Sequence, residues 1–168
     1  SEEAVKVALA EAERRVQAIA TVHAALSQNV DESVDFDEVA RTIVRMAGAI
    51  ASTDHAVEVI TTGSFGTIQA DQAQALATVL NELVANSVEH GLADRDGHIE
   101  VRAEREGTSM TVTVADDGVG FVPGTPMSGL GTQIVHQMVR GELKGSIEWA
   151  PRQGGGTLVT LHANLDPA

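Results

Sequence analysis

The sequence predicts an α+β fold in which one long helix precedes a compact domain with a mostly antiparallel sheet. Over residues 1–29, apolar side chains recur at alternating steps of four and three, the pattern of a helix that joins a bundle. Further along, two pairs of alternating runs are typical of β-hairpins, and a glycine-rich stretch and a helix separate the two pairs. A chain ordered helix, hairpin, loop, helix, hairpin favours α+β over a parallel α/β sheet.

Composition excludes several classes of function. The chain has 168 residues, of which 43% are hydrophobic, enough for one domain with a core and a short appendage. A net charge of -13 argues against sequence-independent nucleic-acid binding, and 2% aromatic residues argue against base-stacking surfaces. The sequence lacks cysteine, which excludes disulfides and thiolate zinc sites. Without a signal peptide or a long apolar run, a cytoplasmic location is expected.

The first helix carries an apolar stripe that it cannot bury alone. A partner helix is therefore expected, either from this chain or from another. A polar, acidic segment near residues 30–35 predicts the boundary between a helical part, 1–30, and a compact domain, 31–168. The positions of the stripe are Val5, Leu9, Ala12, Val16, Ile19, His23 and Leu26.

Two more helices and a strand are predicted in the first half of the compact domain. A helix over about 37–51 has one apolar face, and Asp35 or Asp37 is its candidate cap. Residues 56–61 form a strand candidate, and a turn follows at 63–66. A long helix is expected over about 71–90, with Gly91 as the residue that ends it.

The second half contains the hairpins. Residues 97–105 and 110–115 alternate in polarity around a short turn, and residues 145–149 and 157–163 form the last pair. A helix is predicted between the two hairpins, over about 130–140. No internal repeat is visible.

The segment N-E-L-V-A-N-S-V-E-H, from Asn81 to His90, is the first candidate site. On a helix, Glu82, Asn86 and His90 are spaced four residues apart and share one face. One interpretation is a solvated helix face. The other is a metal-and-phosphate site, because an Asn oxygen suits Mg²⁺ and Glu82 can act as a base or orient a water.

Three glycine-rich motifs follow, and each alone has an ordinary structural explanation. D-D-G-V-G, from Asp116 to Gly120, comes directly after a strand and allows close backbone approach, but a simple turn explains it equally well. Gly129-Leu130-Gly131 opens a helix, where backbone N–H groups attract phosphate. G-G-G-T, residues 154–157, is also explained by a flexible hairpin turn.

The order of these four motifs resembles the ATP-binding domain of the GHKL superfamily, over roughly residues 55–165. Members include DNA gyrase B, the heat-shock chaperones of the 90 kDa class and the histidine kinases. The resemblance implies a two-layer α/β sandwich, the Bergerat ATP-binding fold, with ATP and Mg²⁺ as ligands. Within the superfamily the motifs are most similar to those of two-component sensor histidine kinases.

The resemblance assigns the adenine end of the site to the later motifs. It implies that Asp116 receives the adenine amino group and that Thr157 supports the same pocket. Gly118 and Gly120 are then the glycines that shape the wall around adenine and ribose.

For the phosphate end, the resemblance implies that Asn86 holds Mg²⁺, that Glu82 is the catalytic base or polarising group, and that His90 lies near the phosphates. Gly129, Leu130 and Gly131 are expected to close over the phosphates as part of a small lid. This sequence departs from many members at Glu89, where a basic residue is common. Phosphate neutralisation is therefore expected to depend more on Mg²⁺ and backbone dipoles.

The N-terminal segment A-E-R-R-V-Q-A-I-A-T-V-H resembles the second half of the dimerisation helix pair in HWE-like kinases of the PdtaS type. In that family the acceptor histidine lies on the first helix, in a motif like H-R-V-K-N, which does not occur here. The chain is thus expected to be a piece of a longer kinase that begins after this motif. His23 is interpreted as a histidine of the bundle seam, with a phosphoacceptor role as the alternative.

The resemblance implies a protein histidine kinase, homodimeric in its full-length form. Its partner would be a response regulator, with an RNA-binding antiterminator as one such type, and the kinase itself would bind no nucleic acid. Two alternatives remain open. An anti-sigma-factor serine kinase shares the same motifs but usually lacks the N-terminal helix. A hydrolytic GHKL ATPase would use Glu82 as a general base but usually carries a further transducer domain.

Overall fold

The structure is a computed structural model that describes residues 1–27, 32–51, 55–92, 95–120 and 130–167. Over these residues the helices are α1 (Glu2–Leu26), α2 (Phe36–Ala51), α3 (Ala70–Asn86) and α4 (Leu130–Arg140). The strands are β1 (Ser33–Asp35), β2 (Val57–Gly63), β3 (Thr67–Gln69), β4 (Gly97–Glu106), β5 (Ser109–Asp116), β6 (Ser146–Pro151) and β7 (Thr157–Asn164).

The main sheet has five strands in the order β2-β4-β5-β7-β6. Strand β2 pairs with β4 in parallel, and the other three pairings are antiparallel. The predicted α+β class with a mixed, mostly antiparallel sheet is therefore confirmed, as are both predicted hairpins. A separate two-stranded sheet, β1 with β3, was not predicted from the sequence, because three-residue strands are too short to show alternation.

Helices cover one face of the main sheet, which gives the two-layer sandwich. Every second residue of β4 and β5 is buried, including Ile99, Val101 and Val112, whereas Glu100 and Arg102 face away from the core. The same core cluster contains apolar side chains from α2, α3 and α4. Helix α3 is buried on most sides, since the other helices pack around it.

Helix α1 has two different faces. On one, Thr21 and Val22 are buried where α1 packs against α2 and α3. On the other, most of the predicted stripe is exposed, and Leu9, Val16 and Ile19 are each about 65% accessible, whereas Leu26 packs partly against the core. A stripe of this size exposed along a helix agrees with the expectation of a partner helix. None of the described helices is both long and apolar enough to span a membrane.

The end of the long helix differs from the sequence prediction. Regular α-helix stops at Asn86, and Ser87–Gly91 forms a π-helical turn in which the Leu92 N–H donates to the Ser87 carbonyl at 2.7 Å. Gly91 lies within this turn and does not have a positive φ, so its predicted role as a left-handed helix terminator is wrong. The physical reason for glycine here is space, because a Cβ on Gly91 would overlap the Asp116 carboxylate.

Candidate nucleotide-binding site

Asp116 is the last residue of β5, and its side chain is held in a fixed orientation. It is only 1% exposed, and its Oδ1 accepts backbone N–H bonds from Gly118 at 3.0 Å and from Thr157 at 3.2 Å. Strand β7 begins at Thr157 beside β5, so sheet pairing itself brings this second donor to the carboxylate. The structure thus brings together Asp116, Gly118 and Thr157, as the motifs predicted.

Burial raises the pKa of the Asp116 carboxyl above its ordinary value, and the N–H donors of Gly118 and Thr157 and the charge of Arg152 oppose that rise. A desolvated acceptor that is fixed by the backbone interacts strongly with a neutral amino donor such as that of adenine, because water does not compete. It would also repel a ligand carbonyl oxygen at the same position.

Close backbone packing surrounds this carboxylate and accounts for the glycines. The Val119 N–H donates to the Gly91 carbonyl at 2.7 Å, and a Cβ on Gly118 would overlap that carbonyl. Gly120 and Gly156 have φ values of 74° and 103°, which side chains rarely adopt. A Cβ on Gly156 would overlap the Asp116 carbonyl.

Asp117, directly next to Asp116, has a different environment. It is partly exposed, and its Oδ1 accepts the His98 N–H at 2.8 Å while its Oδ2 lies 2.8 Å from His98 Nδ1. These bonds from His98 lower the pKa of the Asp117 carboxyl. Asp117 therefore ties β5 to β4 through His98, whereas Asp116 is held by the N–H groups of Gly118 and Thr157.

The predicted catalytic carboxylate, Glu82, is buried on α3 and is only 2% exposed. Its Oε1 accepts a hydrogen bond from Nη1 of Arg15, a residue of α1. Asn86 follows one turn later and is half-buried, whereas His90 is exposed at the end of the π-helical turn. The structure thus places Glu82 and Asn86 along the buried part of one helix and His90 at its accessible end.

The start of α4 lies against Glu82. Leu130 is the first residue of that helix, and a Cβ on Gly131 would overlap Glu82 Oε2. The glycine predicted to close over phosphates and the predicted base are therefore neighbours. Gly129 lies outside the described residues.

Sequence reasoning missed the two arginines of α1 that meet this helix. Arg14 binds Glu89 at 2.8 Å, and Arg15 binds Glu82. In the sequence, both stand among the polar residues between the positions of the stripe. The available signal was Glu89 itself, since an acidic residue where a basic one is common needs a compensating cation from elsewhere.

Comparison with known proteins identifies the family. Residues 71–167 match the family model described as histidine kinase-, DNA gyrase B- and HSP90-like ATPase. The chain belongs to this ATPase family. Residues 1–50 match a second model, described as histidine kinase, so the predicted resemblance is confirmed at both ends of the chain. The boundary at residues 30–35 stays a prediction.

Curated relatives are sensor histidine kinases. The chain is 40% identical over 159 residues to the sensor histidine kinase PdtaS of Mycobacterium tuberculosis (strain ATCC 25618 / H37Rv), covering 92% of this chain and 32% of the relative. It is 39% identical over 170 residues to PdtaS of Mycolicibacterium smegmatis (strain ATCC 700084 / mc(2)155), covering 98% of this chain and 34% of the relative. The chain thus spans about a third of the length of these relatives.

Solved structures share the fold. The histidine kinase domain of the blue-light activated histidine kinase EL346 from Erythrobacter litoralis superposes with a TM-score of 0.72 at 24% identity, covering 91% of this chain and 74% of that domain. A catalytic domain of the histidine kinase ThkA superposes with a TM-score of 0.62 at 21% identity, covering 81% of this chain and 97% of that domain. The two-layer sandwich predicted from the motifs is therefore confirmed.

Proposed function

We propose that this chain is the ATP-binding catalytic part of a sensor histidine kinase. It would present the γ-phosphoryl group of ATP to a histidine on a dimerisation helix, from which the phosphoryl group passes to a response regulator. The observation that carries the proposal is the buried Asp116 carboxylate. It lies against Gly91, at one end of the helical segment that also contains Glu82. A site with an acceptor for the base at one end and a buried carboxylate at the other suits transfer of the terminal phosphoryl group of a nucleotide.

Adenine binds at Asp116, whose carboxylate accepts a hydrogen bond from the amino group at C6. Gly118 and Gly120 let the backbone segments around the carboxylate pack closely, and the Thr157 N–H keeps the carboxylate oriented. The raised pKa and burial of Asp116 support a hydrogen bond in a dry pocket. We infer selectivity for ATP over GTP, whose carbonyl at C6 would face the same carboxylate.

Magnesium fits at Asn86, although the protein offers no complete cage. Among the described residues no group of three or more His, Cys, Asp or Glu side chains could hold a metal ion. The Asn86 amide oxygen is a hard ligand on a half-buried turn, and Mg²⁺ commonly completes such a site with phosphate oxygens and waters. The ion would supply charge neutralisation for the triphosphate.

Glu82 acts on the incoming imidazole in this proposal. A carboxylate beside the nucleophile accepts or polarises its N–H, which leaves the other ring nitrogen free to attack phosphorus. Its burial supports this role, because a buried carboxylate keeps a defined orientation. A hydrolytic ATPase is the second candidate, since the same carboxylate could activate a water.

Helix α1 supports the kinase over the other candidates. Its exposed stripe is available for the first helix of a dimerisation pair and for a second copy of that pair. The match of residues 1–50 to a histidine kinase model favours the kinase over an anti-sigma-factor serine kinase. For the whole protein, the proposal includes a homodimer and a response regulator as the partner. An RNA-binding antiterminator is one type of such a regulator.

The test is phosphoryl transfer in trans. We expect the chain alone to gain no label from γ-labelled ATP, because the acceptor motif is absent from it. A dimerisation domain that supplies the acceptor histidine should become labelled when the chain is added. The Glu82→Gln variant should lower that rate by about 10²- to 10⁴-fold.

Two outcomes would contradict the proposal. Release of labelled phosphate without transfer to any added acceptor helix would favour the hydrolytic ATPase. An acid-labile, base-stable label on the chain alone that disappears in His23→Ala would make His23 the acceptor.

A further inference from the structure

We propose that Arg15 contacts the γ-phosphate of bound ATP, so that a side chain of α1 completes the nucleotide site. The inference rests on the proposed function, because it takes Asp116 and Glu82 as the two ends of that site. Arg15 lies outside the residues matched by the ATPase family model, which begin at residue 71. It reaches the site because α1 packs against α3.

The first argument is position along the helix. Gly91 abuts the Asp116 carboxylate, and the segment from Glu82 to Gly91 spans about 12 Å at the α-helical rise, once the extra residue of the π-helical turn is discounted. This span is comparable to the extended length of a nucleoside triphosphate from its base to its γ-phosphate. Arg15, bound to Glu82, therefore lies at the γ-phosphate end of the site.

The second argument is unused hydrogen-bonding capacity. Among the described residues, two buried side-chain atoms have no hydrogen-bond partner, Arg15 Nε and Glu82 Oε2. A buried polar group without a partner is costly, so both atoms are expected to bind something in the working state. A guanidinium offers five N–H groups in a fixed fork, and a phosphate oxygen is an acceptor that suits Nε.

The third argument is convergence on one point. The Cβ position of Gly131 lies 3.3 Å from Arg15 Nη2, and the same position overlaps Glu82 Oε2. A guanidinium, a carboxylate and the first turn of α4 thus meet at one place. The N–H groups of a helix start favour an anion, and the adjacent Arg15 adds a full positive charge.

The fourth argument is charge. The protein carries a net charge of -13, so a triphosphate near Glu82 and Glu89 needs nearby positive charge. Arg14 binds Glu89 at 2.8 Å, whereas Arg15 binds Glu82 through Nη1 and keeps Nε without a partner among the described residues. Arg15 can therefore bridge Glu82 and a phosphate. This arrangement would stabilise the charge that develops on the transferring phosphoryl group, and only while α1 is docked.

The experiment compares two nucleotides that differ in the γ-phosphate. Calorimetry with Mg²⁺ would measure the affinities of ADP and of the β,γ-imido analogue of ATP for the chain and for Arg15→Ala. We expect the variant to bind the ATP analogue about tenfold or more weakly, the loss of a charge-assisted bond, and to bind ADP nearly unchanged. Arg14→Ala, which breaks the neighbouring Glu89 pair, is the matched control and should change neither affinity.

A double-mutant cycle separates direct contact from neutralisation of Glu82. In a Glu82→Gln background, adding Arg15→Ala should still weaken the ATP analogue selectively. Loss of selectivity in that background would overturn the proposal, since Arg15 would then only neutralise Glu82. Equal weakening of both nucleotides by Arg15→Ala, or tighter binding of the ATP analogue, would also overturn it.

The affinity for ADP shows whether the role of Arg15 or the proposed ATP site itself has failed. If the unmodified chain binds neither nucleotide, the proposed ATP site is wrong. If it binds both and Arg15→Ala behaves like Arg14→Ala, the site stands and only the role of Arg15 fails. Because ADP affinity also reports folding, a variant that fails to fold would be recognised by its ADP result, and the Arg15→Lys variant would then replace it.

Discussion

The two ends of the candidate site are built in different ways. At the adenine end, Asp116 is held by backbone donors from its own sheet, Gly118 and Thr157. At the proposed phosphate end, Glu82 is held by Arg15, a side chain distant in the sequence, and each of the two keeps a buried atom that has no hydrogen-bond partner among the described residues. In the proposed site, base recognition is therefore fixed by the fold of the domain, whereas binding of the phosphates depends on where α1 lies.

The largest effect is expected at Asp116. Asp116→Asn should weaken ATP and ADP alike, because loss of a charge-assisted hydrogen bond costs about 1.5–3 kcal/mol. Asp117→Asn is the matched control and should have little effect, since Asp117 is partly exposed and bonds to His98. Calorimetry of both variants measures this. Equal losses would mean that the adenine acceptor is not Asp116, and the contrast between the two ends would disappear.

A smaller loss is expected from Gly91→Ala. The added Cβ overlaps the Asp116 carboxylate, so the carboxylate must move and both nucleotides should bind about tenfold more weakly, on the scale of a strained polar contact. Gly107→Ala, at a β-turn with nothing within 4 Å of its Cβ position, is the control. That control should lower thermal stability slightly without changing affinity. Unchanged binding in Gly91→Ala would show that the adenine end is more adaptable than its packing indicates.

The smallest effect concerns pH. Because burial raises the pKa of Asp116, the carboxylate becomes protonated at a higher pH than an ordinary Asp, and adenine affinity should begin to fall there on acidification. Without nucleotide, the contribution of Asp116 to the free energy of unfolding should instead rise on acidification. A raised pKa means that the folded state binds the proton more tightly, so this group's contribution is greatest at low pH and is lost as pH rises through the raised pKa.

Denaturant titrations at several pH values would measure this, with Asp116→Asn as the reference. The stability of the original chain relative to that variant should improve as pH falls. A constant difference across the range would mean that Asp116 does not titrate above its ordinary pKa.

Sequence alone predicted the order of the larger elements and which motifs meet around Asp116. Alternation in β4 and β5 and the glycine motifs are local signals, and the resemblance of the motifs placed Asp116 and Thr157 in one pocket, where the structure has them in contact. That this pocket takes adenine stays a prediction. The Arg15–Glu82 pair could not be predicted in this way, because it joins segments far apart in the chain. Nothing in the pattern of α1 distinguishes an arginine that faces water from one that packs against α3.

The short strands β1 and β3 escaped prediction for a related reason. Each has three residues, and α2 and β2 separate them in the chain, so their pairing is not a local signal. The π-helical turn also leaves no clear pattern, since its residues are compatible with a continued α-helix. The close approach of Gly91 to Asp116, which joins this turn to the end of β5, is visible only once the sheet is in place.

The π-helical turn at Ser87–Gly91 also bears on how such sequences are aligned and engineered. A π turn accommodates one residue more than an α turn would over the same rise, so it behaves as a local insertion whose excess is absorbed in the backbone. Deleting one residue here would restore α-helical winding and rotate everything that follows, taking the backbone of Gly91 away from β5. A graft of this helix onto another scaffold must therefore include all residues up to Gly91. If the turns are counted as α-helical from Glu82, the residues after Ser87 are assigned to the wrong side of the helix.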